Sequence, residues 1–350
     1  MESFERIGQM AETRLVLQLS RDIGELKQMR PRRVDFGDLQ GPIDVPHNAI
    51  LDLYVKEFAL ADLCVLGEFP DGRVISCRLA PGRIPAGQFK HIARLSGLRK
   101  LTLERVSLDV PAELAVLEKL PSLVELDMSE VDVGDETLAW IARARRLRKL
   151  ILGPCQITAT GLQFLKQLPL RDLRLHGCSV GDAGAAALKE IVTLRALRLT
   201  RAGMGNGGLA EIASLPRLVI LELGGNKITD DGLVFLKAAR TIERLNLMHT
   251  SISDTGAAVL GTFEQLRALS LEGTRVTDQG IKHLILLPHL EELDLSYTAV
   301  TPACLPLLKQ MSSLKHVYLF ETEVCEEDAV AMQQELPHVS INGMSPGSAC

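Results

Sequence analysis

Residues 218–241 read LVILELGGNKITDDGLVFLKAART, residues 242–265 read IERLNLMHTSISDTGAAVLGTFEQ, and residues 266–289 read LRALSLEGTRVTDQGIKHLILLPH. The three lines are one pattern of 24 residues written three times. Apolar residues recur at the fourth place (Leu221, Leu245, Leu269), the sixth (Leu223, Leu247, Leu271), the eleventh (Ile228, Ile252, Val276), the sixteenth and the nineteenth. A fixed period of this size signals stacked units, none of which can bury its apolar face without a neighbour.

Extended outward, the same frame starts units at Val74, Leu98, Leu123, Leu147, Leu170, Leu194, Leu218, Ile242, Leu266, Leu290 and Leu314. Alternation at the fourth and sixth places predicts a short strand with two side chains inward and the third, fifth and seventh outward. The ninth place holds Asn226, Thr250, Thr274, Thr298, Thr322, Cys155 or Cys178. A side chain there can bond backbone left unpaired where the chain turns away from the strand. Thr158, Thr229, Ser253, Thr277 and Thr301 at the twelfth place are expected to cap a helix, with Asp135, Asp182, Asp230, Asp254 or Asp278 favouring its first turn. Pro302 replaces the Asp in one unit and suits the first helical position. Glycine at the fifteenth place (Gly161, Gly184, Gly208, Gly232, Gly256, Gly280) costs about 1 kcal/mol in a helix relative to alanine, so its recurrence implies close approach of the adjacent unit.

These units resemble leucine-rich repeats, and their Thr-Asp-x-Gly-Leu spelling is similar to the RNI-like and GALA-type variety of bacterial proteins. The resemblance implies an α/β leucine-rich-repeat solenoid, a curved horseshoe with a parallel β-sheet on its concave face and short helices on its convex face. The expected organisation is an irregular capping region over 1–73, about eleven units over 74–338, and a closing strand and polar tail over 339–350. Residues 14–20 alternate like a strand, and Ile50, Leu53, Val55 and Leu60 mimic half a unit.

Whole-chain properties narrow the function classes. Aromatic residues make up only 4% of the chain, so the interior is built from aliphatic side chains. A formal charge of −5 supplies no global field toward nucleic acid or anionic membranes, and no apolar run reaches the roughly 18 residues of a membrane span. The N-terminus lacks the basic-then-apolar pattern of a secretory signal. Seven cysteines without paired spacing favour a reducing, cytoplasmic setting and small buried positions.

Chemistry-bearing motifs are sparse. Gly203-x-Gly205-x-Gly207-Gly208 falls on the turn before a repeat helix and lacks a following Lys-Ser/Thr. His176, Cys178 and Cys155 form the one metal-like grouping, but ninth-place cysteines already have a structural role. The expectation is therefore no catalytic residue, no cofactor and no metal. What remains is a surface for a protein partner. Its candidate residues are Arg174, Arg198, Arg201, Glu222, Asn246, Met248, His249, Glu272, Asp294, Tyr297, Tyr318 and Phe320. Charge on this face is expected in blocks: acidic early (Glu125, Asp127, Glu130), basic in the middle (Arg171, Arg174, His176, Arg195, Arg198, Arg201), and acidic and aromatic later. Exposed Tyr, Phe, Met and Arg are the residue types of protein interfaces. Two alternatives stay open: a secreted effector that recruits a host protein, and a nucleic-acid binder using the Arg174, Arg198 and Arg201 stripe.

Overall fold

The computed structural model describes residues 15–20, 32–33, 50–55, 63–68, 72–129 and 131–342. Glu130 and the 344–350 tail lie outside them. The chain divides into two compact units, Met1–Leu170 and Arg171–Cys350, each described here by itself.

In the first unit, β1 (Leu15–Ser20) pairs antiparallel with β2 (Arg32–Arg33) and with β3 (Ile50–Val55). From β3 onward the pairing is parallel through β4 (Val74–Leu79), β6 (Lys100–Leu103), β8 (Glu125–Met128) and β9 (Lys149–Leu152). The short strands β5 (Gly82–Ile84) and β7 (Val106–Leu108) form a separate parallel pair. Cys77, Leu101, Leu126 and Leu150 stand in register at the fourth place, all wholly buried. The units starting at Val74 and Leu98 have neither the twelfth-place Thr or Ser nor the thirteenth-place Asp, and their return segments Phe89–Arg94 and Pro111–Lys119 are 3₁₀ helices. The first α-helix, Asp135–Ile141, follows Gly134 at the twelfth place.

The second unit is more regular. Strands β10 (Asp172–Leu175), β11 (Ala196–Arg198), β12 (Ile220–Glu222), β13 (Arg244–Asn246), β14 (Ala268–Ser270), β15 (Glu292–Asp294), β16 (His316–Tyr318) and β17 (Ser340–Asn342) run parallel in sequence order. Their register equals the sequence frame: Leu173, Leu197, Leu221, Leu245, Leu269, Leu293, Val317 and Ile341 are consecutive partners. The helices Gly181–Leu188, Asn206–Ile212, Asp230–Leu236, Asp254–Leu260 and Asp278–Leu284 return the chain, each burying its sixteenth-place residue against the strands.

Hydrogen bonds across the repeats show why the frame tolerates so little change. Asn226 donates from Nδ2 to the carbonyls of Leu199 and Leu223, and its Oδ1 accepts from the Ala202 and Met204 amides. Thr250, Thr274, Thr298 and Thr322 at the same place each donate to a carbonyl three residues back. At the helix starts, Thr158, Ser253, Thr277 and Thr301 accept from the amide two residues on, as expected of caps.

Thr229 departs from that expectation and makes no side-chain cap bond. The preceding unit explains it. Elsewhere the first-turn Asp reaches forward and accepts both the N–H and the hydroxyl of the next unit's cap residue: Asp135 from Thr158, Asp230 from Ser253, Asp254 from Thr277 and Asp278 from Thr301. Before Thr229 that place is Asn206, whose Nδ2 donates to the Thr229 Oγ1 and so takes up an acceptor site on the oxygen. These first-turn acids therefore do more than favour a helix dipole; they fasten each repeat to the next.

The fifteenth-place glycines are the counterpart of this ladder. A Cβ on Gly208 would stand 2.8 Å from Asp182 Oδ1, and one on Gly280 would stand 2.6 Å from Asp254 Oδ1. Cys304 holds the same place in the Pro302 unit, where a 3₁₀ turn Pro302–Cys304 replaces the first α turn. Burial, with Asp278 nearby, pushes its thiol up to about 12. Cys77, Cys155 and Cys178 are also buried. The expectation of an unpaired cysteine set fails at Cys325, which is disulfide-bonded.

Candidate protein-binding face

On the second unit the outward strand places form two parallel rows. The fifth-place row runs Arg174, Arg198, Glu222, Asn246, Ser270, Asp294 and Tyr318, each in register with the next and so spaced by about 4.8 Å. Beside it the third-place row runs Asp172, Ala196, Ile220, Arg244, Ala268, Glu292 and His316.

The charges on these rows are largely paired, which corrects the expected blocks. Arg198 is held on both sides, by Asp172 at 2.6 Å and Glu222 at 2.7 Å, and its side chain keeps only 19% exposure. Arg174 reaches the same Asp172 at 3.1 Å. Arg171, Arg195 and Arg201 stay exposed, but the centre of the expected arginine stripe is an ion-pair network rather than an open cationic track. The early acidic patch of the first unit is neutralised likewise, since Glu125 accepts from both Lys100 and Lys149 at 3.0 Å. Burial pushes the Glu125 carboxyl up, but these two lysines outweigh it and hold it below the ordinary carboxylate range. Asp127 is turned onto the amide and hydroxyl of Ser129.

Further along β12–β16 the face sinks into a depression of about 310 Å³. Ala268 and Ser270 are short, while the flanking strands carry Arg244, Asn246, Glu292, Asp294 and Tyr318; Leu245 and Leu269 also line it. Arg244 pairs with Glu292 at 2.9 Å. Asp294 accepts from the Ser270 hydroxyl and the Ser296 amide. Glu272, also in the lining, faces His249 Nε2 at 3.5 Å.

The rim is built by the eighth place, where the strand ends and the backbone turns. Every eighth-place residue from Gly177 to Glu321 has positive φ: Gly177, Arg201, Gly225, His249, Gly273, Tyr297 and Glu321. Glycine adopts this conformation freely, whereas other residues pay about 1–2 kcal/mol for it. Glycine alternates with a larger residue through Tyr297, and the packing gives a reason at two of these glycines. A Cβ on Gly225 would collide with Arg201, and one on Gly273 with His249, so each of those side chains lies across the bare glycine of the next repeat. Met248 lies in the same way over Gly224, and its amide is held by Asn246 Oδ1 at 2.9 Å. Tyr297 and Phe320 are bonded through their backbones at 2.7 Å and remain 56% and 44% exposed.

All twelve sequence-selected residues thus lie on the strand face or its rim. Glu222, Asn246, Glu272, Asp294 and Tyr318 line the depression together with Arg198. Arg174, Arg201, Met248, His249, Tyr297 and Phe320 are not among its lining residues. Sequence reasoning missed Asp172, Arg244 and Ala268, all at the third place, because it took its candidates from the fifth, seventh and eighth places. The glycine alternation at the eighth place was a readable signal that it also passed over. Among the described residues no group of three His, Cys, Asp or Glu could hold a metal ion, and no helix is long and apolar enough to cross a membrane.

A parallel strand in every repeat, a ninth-place Asn or Thr ladder and returning short helices define a leucine-rich-repeat solenoid. Residues 216–237 and 238–261 match the family model described as Leucine Rich repeat, and the chain carries leucine-rich repeats. By fold it is similar to an internalin from Listeria monocytogenes, with 19% identity, 75% of this chain and 78% of that chain covered, and a TM-score of 0.54. It is similar also to a leucine-rich-repeat protein of Leptospira interrogans, with 18% identity, 81% of each chain covered and a TM-score of 0.52. A chain of the mouse RP105/MD-1 complex aligns at 17% identity over 84% of this chain and 51% of that one, with a TM-score of 0.57. Comparison with curated proteins by sequence finds no match.

Proposed function

We propose that the chain is a non-enzymatic scaffold of the bacterial 24-residue repeat type that binds a protein partner on the open strand face of residues 171–342. One observation carries this reading: a ligand-sized depression lies on the same strand face as two exposed aromatic side chains, Tyr297 and Phe320. Aromatic anchors beside a concavity are the arrangement that concentrates binding energy in protein interfaces. The mouse RP105/MD-1 complex, whose similar chain was solved in an assembly, supports the same use of the fold. Nucleic acid is a poorer fit, because Arg174 and Arg198 already have carboxylate partners on Asp172 and Glu222.

The test is affinity purification of the tagged full-length chain, identification of the partner, and titration of the purified pair. Ser270→Trp, which fills the depression, and Phe320→Ala are expected to weaken binding at least about 30-fold, the scale of a hot-spot residue. Val234→Ala on the exposed side of the helix Asp230–Leu236 is the control and is expected to leave it unchanged. Loss of binding in the control with retention in both face variants refutes the assignment. Arg198→Glu is a poor probe, since it would set a fresh carboxylate between Asp172 and Glu222.

A further inference from the structure

We infer that the depression around Ser270 takes a cationic side chain, arginine or lysine, presented by an extended segment of the partner. The inference rests on the protein-binding reading above and deepens it by naming the chemistry of the anchor.

The charge count comes first. Four carboxylates (Glu222, Glu272, Glu292, Asp294) and two guanidiniums (Arg198, Arg244) line the cavity, for a formal balance of −2. The two guanidiniums are already committed, Arg198 to Asp172 and Glu222 and Arg244 to Glu292. The surplus therefore resides on Asp294 and Glu272. Among the described residues no lysine or arginine pairs with either; Asp294 receives only the Ser270 hydroxyl at 3.3 Å and the Ser296 amide at 3.0 Å, and Glu272 only His249.

The occupants that this lining disfavours follow from desolvation. An apolar anchor would strip water from two carboxylates without replacing it, and an acidic one would add repulsion to that cost. A metal ion would find no group of three suitable ligands among the described residues. A guanidinium or ammonium gains charge-assisted hydrogen bonds from the two acids. Its aliphatic stem can lie along Ala268 and Ile220, the arrangement that long basic side chains favour. Tyr318 in the wall adds an aromatic of the kind that attracts cations.

The full-length protein, methyl-labelled at alanine and isoleucine, is titrated with blocked pentapeptides Gly-Gly-Xaa-Gly-Gly, where Xaa is arginine, lysine or citrulline, while the Ala268 and Ile220 methyl resonances are followed. Arginine and lysine peptides are expected to shift these resonances saturably. Citrulline, nearly the shape of arginine but uncharged, is expected to bind about tenfold or more weaker, the scale of one charge-assisted hydrogen bond. Asp294→Asn is expected to cut the arginine affinity by a similar factor and leave the citrulline titration unchanged, with its remaining methyl spectrum matching the parent as a check on folding. Equal binding of citrulline and arginine, no shift with any peptide, or an Asp294→Asn variant that binds the arginine peptide normally overturns the inference. Partner capture lost in Ser270→Trp but no charge preference among peptides would sink this inference and leave the binding face standing. A clear preference with partner capture indifferent to Ser270→Trp would do the reverse.

Discussion

Substituting Gly280 with alanine sets two physical effects against each other with opposite signs. Helix propensity alone says the change should stabilise the helix Asp278–Leu284 by about 1 kcal/mol. Packing says otherwise. The new Cβ would stand 2.6 Å from Asp254 Oδ1, 2.8 Å from Val276 Cγ1 and 3.1 Å from Ala257 Cβ, and both apolar neighbours are fully buried. Asp254 can move aside only by weakening its two 2.8 Å bonds to the Thr277 amide and hydroxyl. Overpacking costs about 1–3 kcal/mol and loss of one hydrogen bond to a charged acceptor about 1.5–3 kcal/mol, so after the propensity gain the net expectation is a destabilisation of about 3 kcal/mol. Urea titration by circular dichroism, with amide exchange of residues 278–284 as the local readout, measures it, since long repeat arrays need not unfold in one step. In an Asp254→Ala background the same glycine change should cost about 2 kcal/mol less, because the oxygen that it meets has gone. A Gly280→Ala protein more stable than the parent would refute the ladder as the reason for the recurring glycine.

Three further expectations are sharp enough to test. Asn226→Ala leaves two amides and two carbonyls without their buried partner and should cost more than about 3 kcal/mol in urea unfolding, with Asn226→Thr in between because threonine at this place bonds one carbonyl. Tyr297→Gly relieves a backbone held at φ 55° and should raise stability by about 1 kcal/mol while weakening partner binding in the titration above. Glu125 has a depressed folded pKa, so its contribution is present above the unfolded carboxylate value and disappears as pH falls through the lower folded one. The stability gap between the parent and Glu125→Gln should accordingly be larger at pH 7 than near pH 3, and a gap independent of pH would count against the lysine pairing.

The repeat and its strand register were legible because every fourth- and sixth-place residue answers to the same demand, burial between neighbours. Leu221 reads the same way in the sequence as on β12. The ninth-place ladder was legible for a similar reason, since Asn, Thr and Cys share a small polar reach to the turn backbone. Thr229 was not, because its hydroxyl is decided by whether the residue 23 positions earlier is Asp or, as here, Asn206. The electrostatics of the face escaped for a geometric reason. Arg198 finds its partners at Asp172 and Glu222, one on a different outward row and both on other strands, so a row read alone counts charge that its neighbours cancel. What a linear reading did locate was the set of exposed aromatics at Tyr297 and Phe320, whose place at the strand end needs no partner to define it.

The strict register of β10–β17 acts as one scale of a vernier against any extended chain laid across it. Strands recur about every 4.8 Å, whereas side chains on one side of an extended segment recur about every 6.7 Å. A segment crossing at right angles with one side chain over Ser270 on β14 places the next same-side residue about 1.4 strands further on, between β15 and β16. That is the level of Tyr297 and Phe320, which follow those two strands. The two scales return to near coincidence after three strands and four residues, about 14.4 Å against about 13.4 Å. For an extended partner of the kind proposed above, anchors two and four residues apart would match the array, a spacing rule set by backbone geometry before any side chain on the face is chosen.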